Sequence, residues 1–351
     1  MHQLKRSVVA AAVAGICACA MSAANAESII FPYWSTQNGD ISVLSLSAGS
    51  NVVPNSATGK YANNIHYVWN YGSSCTHFDN YGSLTPNDLI QQFVSQAADT
   101  PALFGDKSTP AYFPPTTGGS YGFLVVTDNA GVAGGTMGPA GSLRGQMVIA
   151  SASTGIVTAY SGIPAPVATI GGPGTPRPEG DFRPHIGTGP YPSNTAYHLV
   201  DYRLSWYPQS AVNTSWFAVV LGDMSYTIQH GLDWIGAAQY TTNGGVYGRD
   251  EDAYSGTTTG QFTCSTLLTP SSFMNSAQMS SVSNGGLANI TFTPGLIQNG
   301  VFSAGDNTPG ELYNPSDIAL FKIESTNALG SPSTFITKEN AVSNVVAGGP
   351  V

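Results

Sequence analysis

The sequence predicts an all-β fold, a mostly antiparallel β-sandwich with one short amphipathic helix near residues 86–98. Three observations predict it. Short β-branched and aromatic runs recur along the chain and are punctuated by Gly, Asn and Pro, which is the composition of strands and turns. Asn-Gly steps stand at Asn38, Asn243, Asn284 and Asn299, and both residue types tolerate the positive φ of tight hairpins. Charged residues are only 9% of the chain, against about 25% in an average soluble domain, so Ser, Thr, Asn and Gln carry the polar surface.

The first 26 residues read as an export signal: Lys5 and Arg6 give a positive start, Ser7 to Ala20 a short apolar run, and Ala24-Asn25-Ala26 a small-x-small cleavage site before Glu27. The run is shorter than the ~20 residues that span a bilayer, and no later run approaches that length, so no membrane span is expected in the mature chain. Loss of Lys5 and Arg6 leaves 9 of the 11 basic residues against 20 acidic ones, a net charge of −11. Nucleic acid needs a basic surface that displaces counterions, and this balance excludes it as a partner. The expected location is extracellular or at the cell surface, with the periplasm as the alternative.

Cys17 and Cys19 leave with the signal, so Cys75 and Cys264 remain. In an oxidising compartment a lone pair is expected to form one disulfide; closing so long a loop stabilises by roughly 5 kcal/mol in the chain-entropy model. Two separate thiols are the alternative.

The mature chain starts with a strand, "ESIIFPYW". Pro32 lacks a backbone donor, which favours an edge position, and edges are where one β-protein adds a strand to another. Ile29, Ile30, Phe31 and Tyr33 are therefore the candidate partner-binding residues. The internal alternative is a hairpin with "DISVLSLS" across Asn38-Gly39.

After "NIHYVWNY" comes "SSCTHFDNYGSLTPND". If extended, it sets Cys75, His77 and Asp79 on one face. A structural zinc site generally needs four protein ligands, and no spacing supplies the fourth, so this stretch reads as a joint. The helix is expected next, in "LTPNDLIQQFVSQAADTP". Thr85 is its N-cap, Pro86 fits the first turn, and Asp88 completes a T-x-x-D capping box. Leu89, Ile90, Phe93, Val94 and Ala97 share one helical face, and Pro101 ends it.

"GGSYG" at 118–122 formally matches the nucleophile elbow, but that motif needs a strand before the serine and a helix after it. Here a Pro-Gly loop precedes and "GFLVVTD" follows, so Ser120 reads as a turn residue. The glycine-rich 131–145 lacks the G-K-[ST] ending of a phosphate loop. Residues 163–194 hold eight prolines, a density that no regular ladder survives. Strands resume with "AYHLVDYRLSW" and "SWFAVVLGD" and continue to "STFITKE". Asp250, Glu251 and Asp252 in "YGRDEDAY" are candidate calcium ligands as clustered hard oxygens, without EF-hand spacing. Trp34, Trp69, Trp206, Trp216 and Trp234 are expected to fill the space between sheets rather than to form sugar-stacking platforms.

The domain organisation expected is a single composite β-sandwich over 27–351 with a Pro/Gly-rich loop at 163–194; the alternative is two β domains, 27–162 and 195–351. No coherent catalytic constellation stands out, so a non-enzymatic, exported cell-surface or extracellular structural protein is expected, acting through protein partners or self-association. The alternative is a carbohydrate-binding or carbohydrate-cleaving protein with a glycan ligand. No cofactor is expected beyond calcium.

Overall fold

The computed structural model describes residues 28–37, 40–55, 58–71, 76–94, 120–128, 142–151, 157–164, 197–221, 234–298, 301–304, 317–326, 333–339 and 341–347. The expected signal, Cys75, and nearly all of 163–194 lie outside these residues. The described chain is mostly antiparallel β-strand, with one short α-helix. Contacts within it cluster into two compact units.

The first unit contains β1 (Ser28–Ser35), β2 (Asp40–Ala48), β3 (Ile65–Tyr71), β4 (Thr76–Gly82), β5 (Leu89–Val94), β6 (Tyr121–Thr127), β7 (Leu143–Ser151), β8 (Val157–Ser161) and β9 (Ile163–Pro164). One sheet runs β4-β3-β6-β1-β9 and the other β5-β2-β7-β8. Cross-strand rows such as Phe31–Leu124–Trp69 put large apolar side chains on one face, and all three are buried. At Gly122 a Cβ would lie 1.8 Å from the Asn70 carbonyl oxygen of β3, so no other residue fits. β1 and β2 lie in different sheets, so Asn38-Gly39 does not join a paired hairpin.

The helix expected over 86–98 is a strand where it is described. Only half of the Thr85–Asp88 box forms: the Thr85 amide donates to Asp88 Oδ2 at 3.3 Å, but the Asp88 amide donates to the Thr85 carbonyl at 3.1 Å rather than to its hydroxyl, which itself donates to Asp88 Oδ2 at 3.2 Å. Asn87 then takes a left-handed φ of 63°, which a right-handed helix cannot contain. These bonds close a turn, and Leu89–Val94 pairs with β2 from Ser47↔Leu89 to Ser42↔Val94. Period-two burial decides the outcome: Ile90 is 1% exposed and Leu89 54%. A strand partner for β2 outweighs local helix propensity.

The second unit contains β10 (Tyr197–Trp206), β11 (Val212–Leu221), β12 (Trp234–Gly248), β13 (Ala253–Tyr254), β14 (Thr259–Thr263), β15 (Ser265–Leu268), α1 (Ser276–Ser281), β16 (Gly286–Gln298), β17 (Val301–Ala304), β18 (Asp317–Thr326), β19 (Ser333–Lys338) and β20 (Ser343–Ala347). A seven-stranded sheet follows β13-β12-β16-β10-β20, with β14 on β12 and β17 on β16; a four-stranded sheet follows β15-β11-β18-β19. Gln298 pairs with Val301, the last register pair of β16 with β17; Asn299 and Gly300 lie outside the described residues. Asn243-Gly244 sits in a register slip inside β12, with Gly244 at φ 59°.

Both sheets of this unit contribute to one apolar cluster. Phe273 sits between Trp216 at 5.3 Å and Trp206 at 6.2 Å, and Phe292 meets Tyr202 edge-on at 5.7 Å. Phe273 precedes α1, whose start carries a complete capping box: the Gln278 amide donates to Asn275 Oδ1 and the Asn275 amide to Gln278 Oε1, both at 2.9 Å. With only six residues, α1 carries too little periodicity to be predicted from its sequence.

Candidate functional site

The edge expected at the N-terminal strand is not open. β1 lies between β6 on one side and β9 on the other, through Ile29↔Pro164 and Ile30↔Ile163. Ile29, Ile30 and Phe31 are 1%, 0% and 0% exposed, so they form interior rather than a partner-binding surface. Pro32 is accommodated by a register slip between Phe31 and Trp34, the bulge alternative to an edge position.

Past Ile30, β1 has no further strand partner on the β9 side among the described residues. Two hydroxyl groups from the other sheet stand there instead. The Tyr33 amide donates to the Tyr160 hydroxyl at 3.1 Å, and that hydroxyl donates to the Tyr33 carbonyl. Two residues on, the Ser35 amide donates to Ser42 Oγ at 2.9 Å, and Ser42 Oγ donates to the Ser35 carbonyl at 2.9 Å. Tyr160 comes from β8 and Ser42 from β2. Ser35 Oγ in turn donates to Asp40 Oδ2 at 2.9 Å. Burial pushes the Tyr160 phenol far above its ordinary value and raises that of Tyr33 to about 12. Tyr160 therefore keeps the proton it donates.

A second polar constellation, in the second unit, has no counterpart in the sequence reading. On β18, Lys322 and Glu324 continue the row of Ile318 and Leu320, whose side chains enter the core. Lys322 Nζ lies 2.6 Å from a Glu324 carboxylate oxygen, with the two side chains 11% and 21% exposed. The ammonium also stands 5.8 Å from the centre of the Tyr207 ring. Glu339, just after β19, accepts a hydrogen bond from the buried Trp216 indole at 3.3 Å, and its amide donates to the Leu320 carbonyl at 2.9 Å. Desolvation lifts the Glu339 carboxyl above its ordinary value; the Trp216 bond and Lys322 oppose that, and Glu324 adds to it. Chemically this is a half-buried carboxyl with raised proton affinity beside an ion pair, with no serine, cysteine or histidine in the hydrogen bonds described. The sequence signal was "ALFKIES", where period-two alternation places Lys322 behind Leu320. Because Ala319, Phe321 and Ile323 make the opposite face apolar too, the pattern does not say which face is interior.

The remaining candidates are placed as follows. Asp250, Glu251 and Asp252 are exposed at the turn between β12 and β13. Glu251 holds a left-handed φ of 65°, and the carbonyls of Gly248 and Asp252 accept backbone bonds from Glu251 and Gly248. Among the described residues, no group of three or more His, Cys, Asp or Glu is placed to hold a metal ion, so these three carboxylates are not brought together as one. Cys264 is the corner at which the chain leaves one sheet for the other. Its amide donates to Gly236 on β12, and its carbonyl accepts from Val220 on β11, both at 2.8 Å. It is 5% exposed and takes φ 51°; Cys75 lies outside the described residues. Ser120 enters β6 directly, its amide bonded to Thr36 Oγ1 at 3.0 Å. A strand, not a helix, follows Ser120; the residues before it lie outside the described set. Trp34, Trp69, Trp206 and Trp216 are all buried, at 0–5% exposure; the Trp234 side chain lies outside the described set.

Fold and sites together define the chain as an all-β protein of antiparallel sheets. No protein-family model matches it, and a search of curated proteins finds no relative.

Proposed function

We propose that this is an exported, non-enzymatic β-sandwich protein of the cell surface or extracellular space, working through contacts with protein partners or with its own copies. The observation that carries the reading is where the aromatic mass goes. Each tryptophan with a described side chain is 0–5% exposed, whereas a sugar-binding cleft displays such rings along its floor. The exposed large apolar side chains among the described residues include the tyrosines Tyr81 at 40% and Tyr207 at 59%, and aliphatics such as Leu89 on β5 at 54% and Val301 on β17 at 68%; β5 and β17 each pair with one neighbour among the described residues. A disulfide between Cys75 and Cys264 belongs to the same proposal, since export supplies the oxidising compartment.

The test is to purify the chain from Glu27 onward and measure its assembly by size-exclusion chromatography with light scattering and by negative-stain microscopy. Ordered fibres or large complexes support the reading. A monodisperse monomer that binds polysaccharide replaces it with the carbohydrate reading. Thiol titration of the native material reads no free thiol if the disulfide has formed and two if it has not.

A further inference from the structure

We infer that the side-chain oxygens of Thr214, Glu324 and Glu339, at one end of the inner face of the four-stranded sheet in the second unit, bind one small monovalent cation, an alkali-metal ion or ammonium. The inference rests on the arrangement of these side chains and not on the function proposed above.

β11 and β18 pair through Thr214↔Glu324, Trp216↔Lys322, Ala218↔Leu320 and Val220↔Ile318. Side chains alternate along a strand, and Trp216, Ala218, Val220, Ile318 and Leu320 belong to the apolar cluster between the sheets. Thr214, Lys322 and Glu324 therefore continue that same inward face beyond the apolar rows. Glu339 reaches it by accepting the hydrogen bond of the Trp216 indole. Directly opposed residues of an antiparallel pair hold their Cβ atoms about 5 Å apart, which sets the Thr214 side chain beside that of Glu324.

Two independent observations say that this group lacks a member. The first is charge. One ammonium serves two carboxyls: Lys322 Nζ lies 2.6 Å from a Glu324 oxygen and also attracts Glu339, while Glu324 and Glu339 repel each other. With both carboxyls ionised, one negative charge is left over. The second is the Thr214 hydroxyl. Thr214 is 0% exposed, yet its Oγ1 has no hydrogen-bond partner among the described residues, whereas buried polar groups ordinarily have one. Water satisfies a hydroxyl but leaves the charge. A cation answers both, because hydroxyl and carboxylate oxygens are lone-pair donors of the kind hard cations take. A single positive charge balances the set; a divalent ion would overshoot it and repel Lys322. The Glu324 side chain is 21% exposed and that of Lys322 11%, so the way in from solvent admits a small ion and excludes a bulky quaternary ammonium.

The experiment uses the mature chain in the chlorides of sodium, potassium, ammonium and choline at one fixed ionic strength. Thermal unfolding midpoints are read by tryptophan fluorescence as each small cation replaces choline. A saturable rise in the midpoint is expected, because a ligand that binds only the folded state stabilises it by mass action. The ion that saturates at the lowest concentration tells alkali metal from ammonium. Thr214→Val keeps the shape and removes the hydroxyl, and is expected to weaken the apparent affinity about tenfold, the loss of one buried polar contact; Thr214→Ser is expected to retain it. Equal midpoints in choline and in every small cation show that ionic strength acts by screening alone and overturn the inference. A folded Thr214→Val variant with wild-type affinity overturns it as well. If Thr214→Val does not fold, Glu324→Gln takes its place under the same readings: loss of the saturable response supports the site, and an unchanged response defeats it.

Discussion

The two units are made of the same material, antiparallel sheets with buried aromatic rows, yet they close their interiors in opposite ways. In the first, side chains stand in for missing backbone partners. Tyr160 and Ser42 do so along β1, and Asn64 does so at the foot of β3: its amide donates to the carbonyls of Val53 and Leu84, at 2.8 and 2.9 Å, while its Oδ1 accepts from the Leu84 amide at 2.9 Å. The interior there also holds His66, Asn70, Asn80 and Thr127, all buried. In the second unit the backbone makes its own joint, through a strand that changes sheet at Cys264, and the interior is dominated by packed rings. The first unit therefore depends on polar groups being satisfied and the second on volume being filled. Four perturbations separate these dependences.

The largest effect is expected from Phe273→Ala. The ring is 0% exposed and touches tryptophans contributed by both sheets of the second unit. Removing it leaves a cavity the rigid β framework cannot collapse, at a cost of about 3–5 kcal/mol. Urea denaturation followed by amide exchange in β10, β11 and β16 should show the loss there and leave β1, β3 and β6 protected. Equal loss in both units would show that the two interiors do not respond independently.

Alkali should attack the first unit first. Tyr33 is raised from 10.0 to about 12 by burial, and Tyr160 is raised further in the same direction for the same reason. A group with a raised folded-state pKa lends stability that is complete below its unfolded value and lost as pH climbs through the folded one. The window for Tyr33 is therefore pH 10 to 12, and a two-unit shift corresponds to roughly 3 kcal/mol. An ionised Tyr160 also cannot donate to the Tyr33 carbonyl. Tyr240 in the second unit is raised too, again by burial, but its hydroxyl bonds the single carbonyl of Ser272 rather than bridging a strand edge. Unfolding midpoints between pH 8 and 12 should fall earlier for β1 and β6 than for β12 and β16. Simultaneous loss would contradict the assignment.

The corner at Cys264 gives a smaller and more pointed test. A non-glycine residue at φ 51° bears about 1–2 kcal/mol of left-handed strain. Cys264→Gly and Cys264→Ala remove the same sulfur, yet the glycine variant should be more stable by about 1 kcal/mol, because only alanine keeps the Cβ clash. Comparing each with the wild type then isolates what the sulfur itself contributes. No difference between the two variants would mean that the corner relaxes, and that backbone geometry is not what joins these sheets.

How much of this was legible in the sequence depends on how local the cause was. Strand identity was readable because alternation and punctuation are local, and most of the quoted runs are strands. The segment at 89–94 carries the sequence of a capped helix, but Thr85 and Asp88 close a turn instead; the preference of β2 for a partner, which decides the outcome, lies about 40 to 50 residues away in sequence. β1 was placed at an edge because Pro32 argues for one, and no local pattern announces that β6, β9 and two hydroxyls from the other sheet occupy its sides. The ionic cluster escaped for a related reason. Lys322 and Glu324 are adjacent in the strand pattern, but Trp216 and Glu339 join them only through sheet register and a loop.

That cluster supplies the smallest effect, and it runs opposite in pH to the tyrosines. Desolvation raises the Glu339 carboxyl, the Trp216 bond and Lys322 hold it partly down, and Glu324 pushes it up. With the folded-state value above the unfolded one, the protonated carboxyl is the form that folding favours. Its contribution is complete below the ordinary glutamate range and declines as pH rises through the raised value. Glu339→Gln mimics the protonated form in shape and keeps an oxygen for the Trp216 indole. The variant should therefore be slightly more stable than the wild type at neutral pH, and the two should converge on acidification. Because the carboxyl is only half-buried, solvent screening keeps the gain small. Urea midpoints for β11 and β18 between pH 4 and 8 measure it. A variant less stable than the wild type at pH 7 would show that the charge itself, through Lys322, holds the segment after β19 in place, and that the second unit also relies on a polar contact where rings alone were expected to suffice.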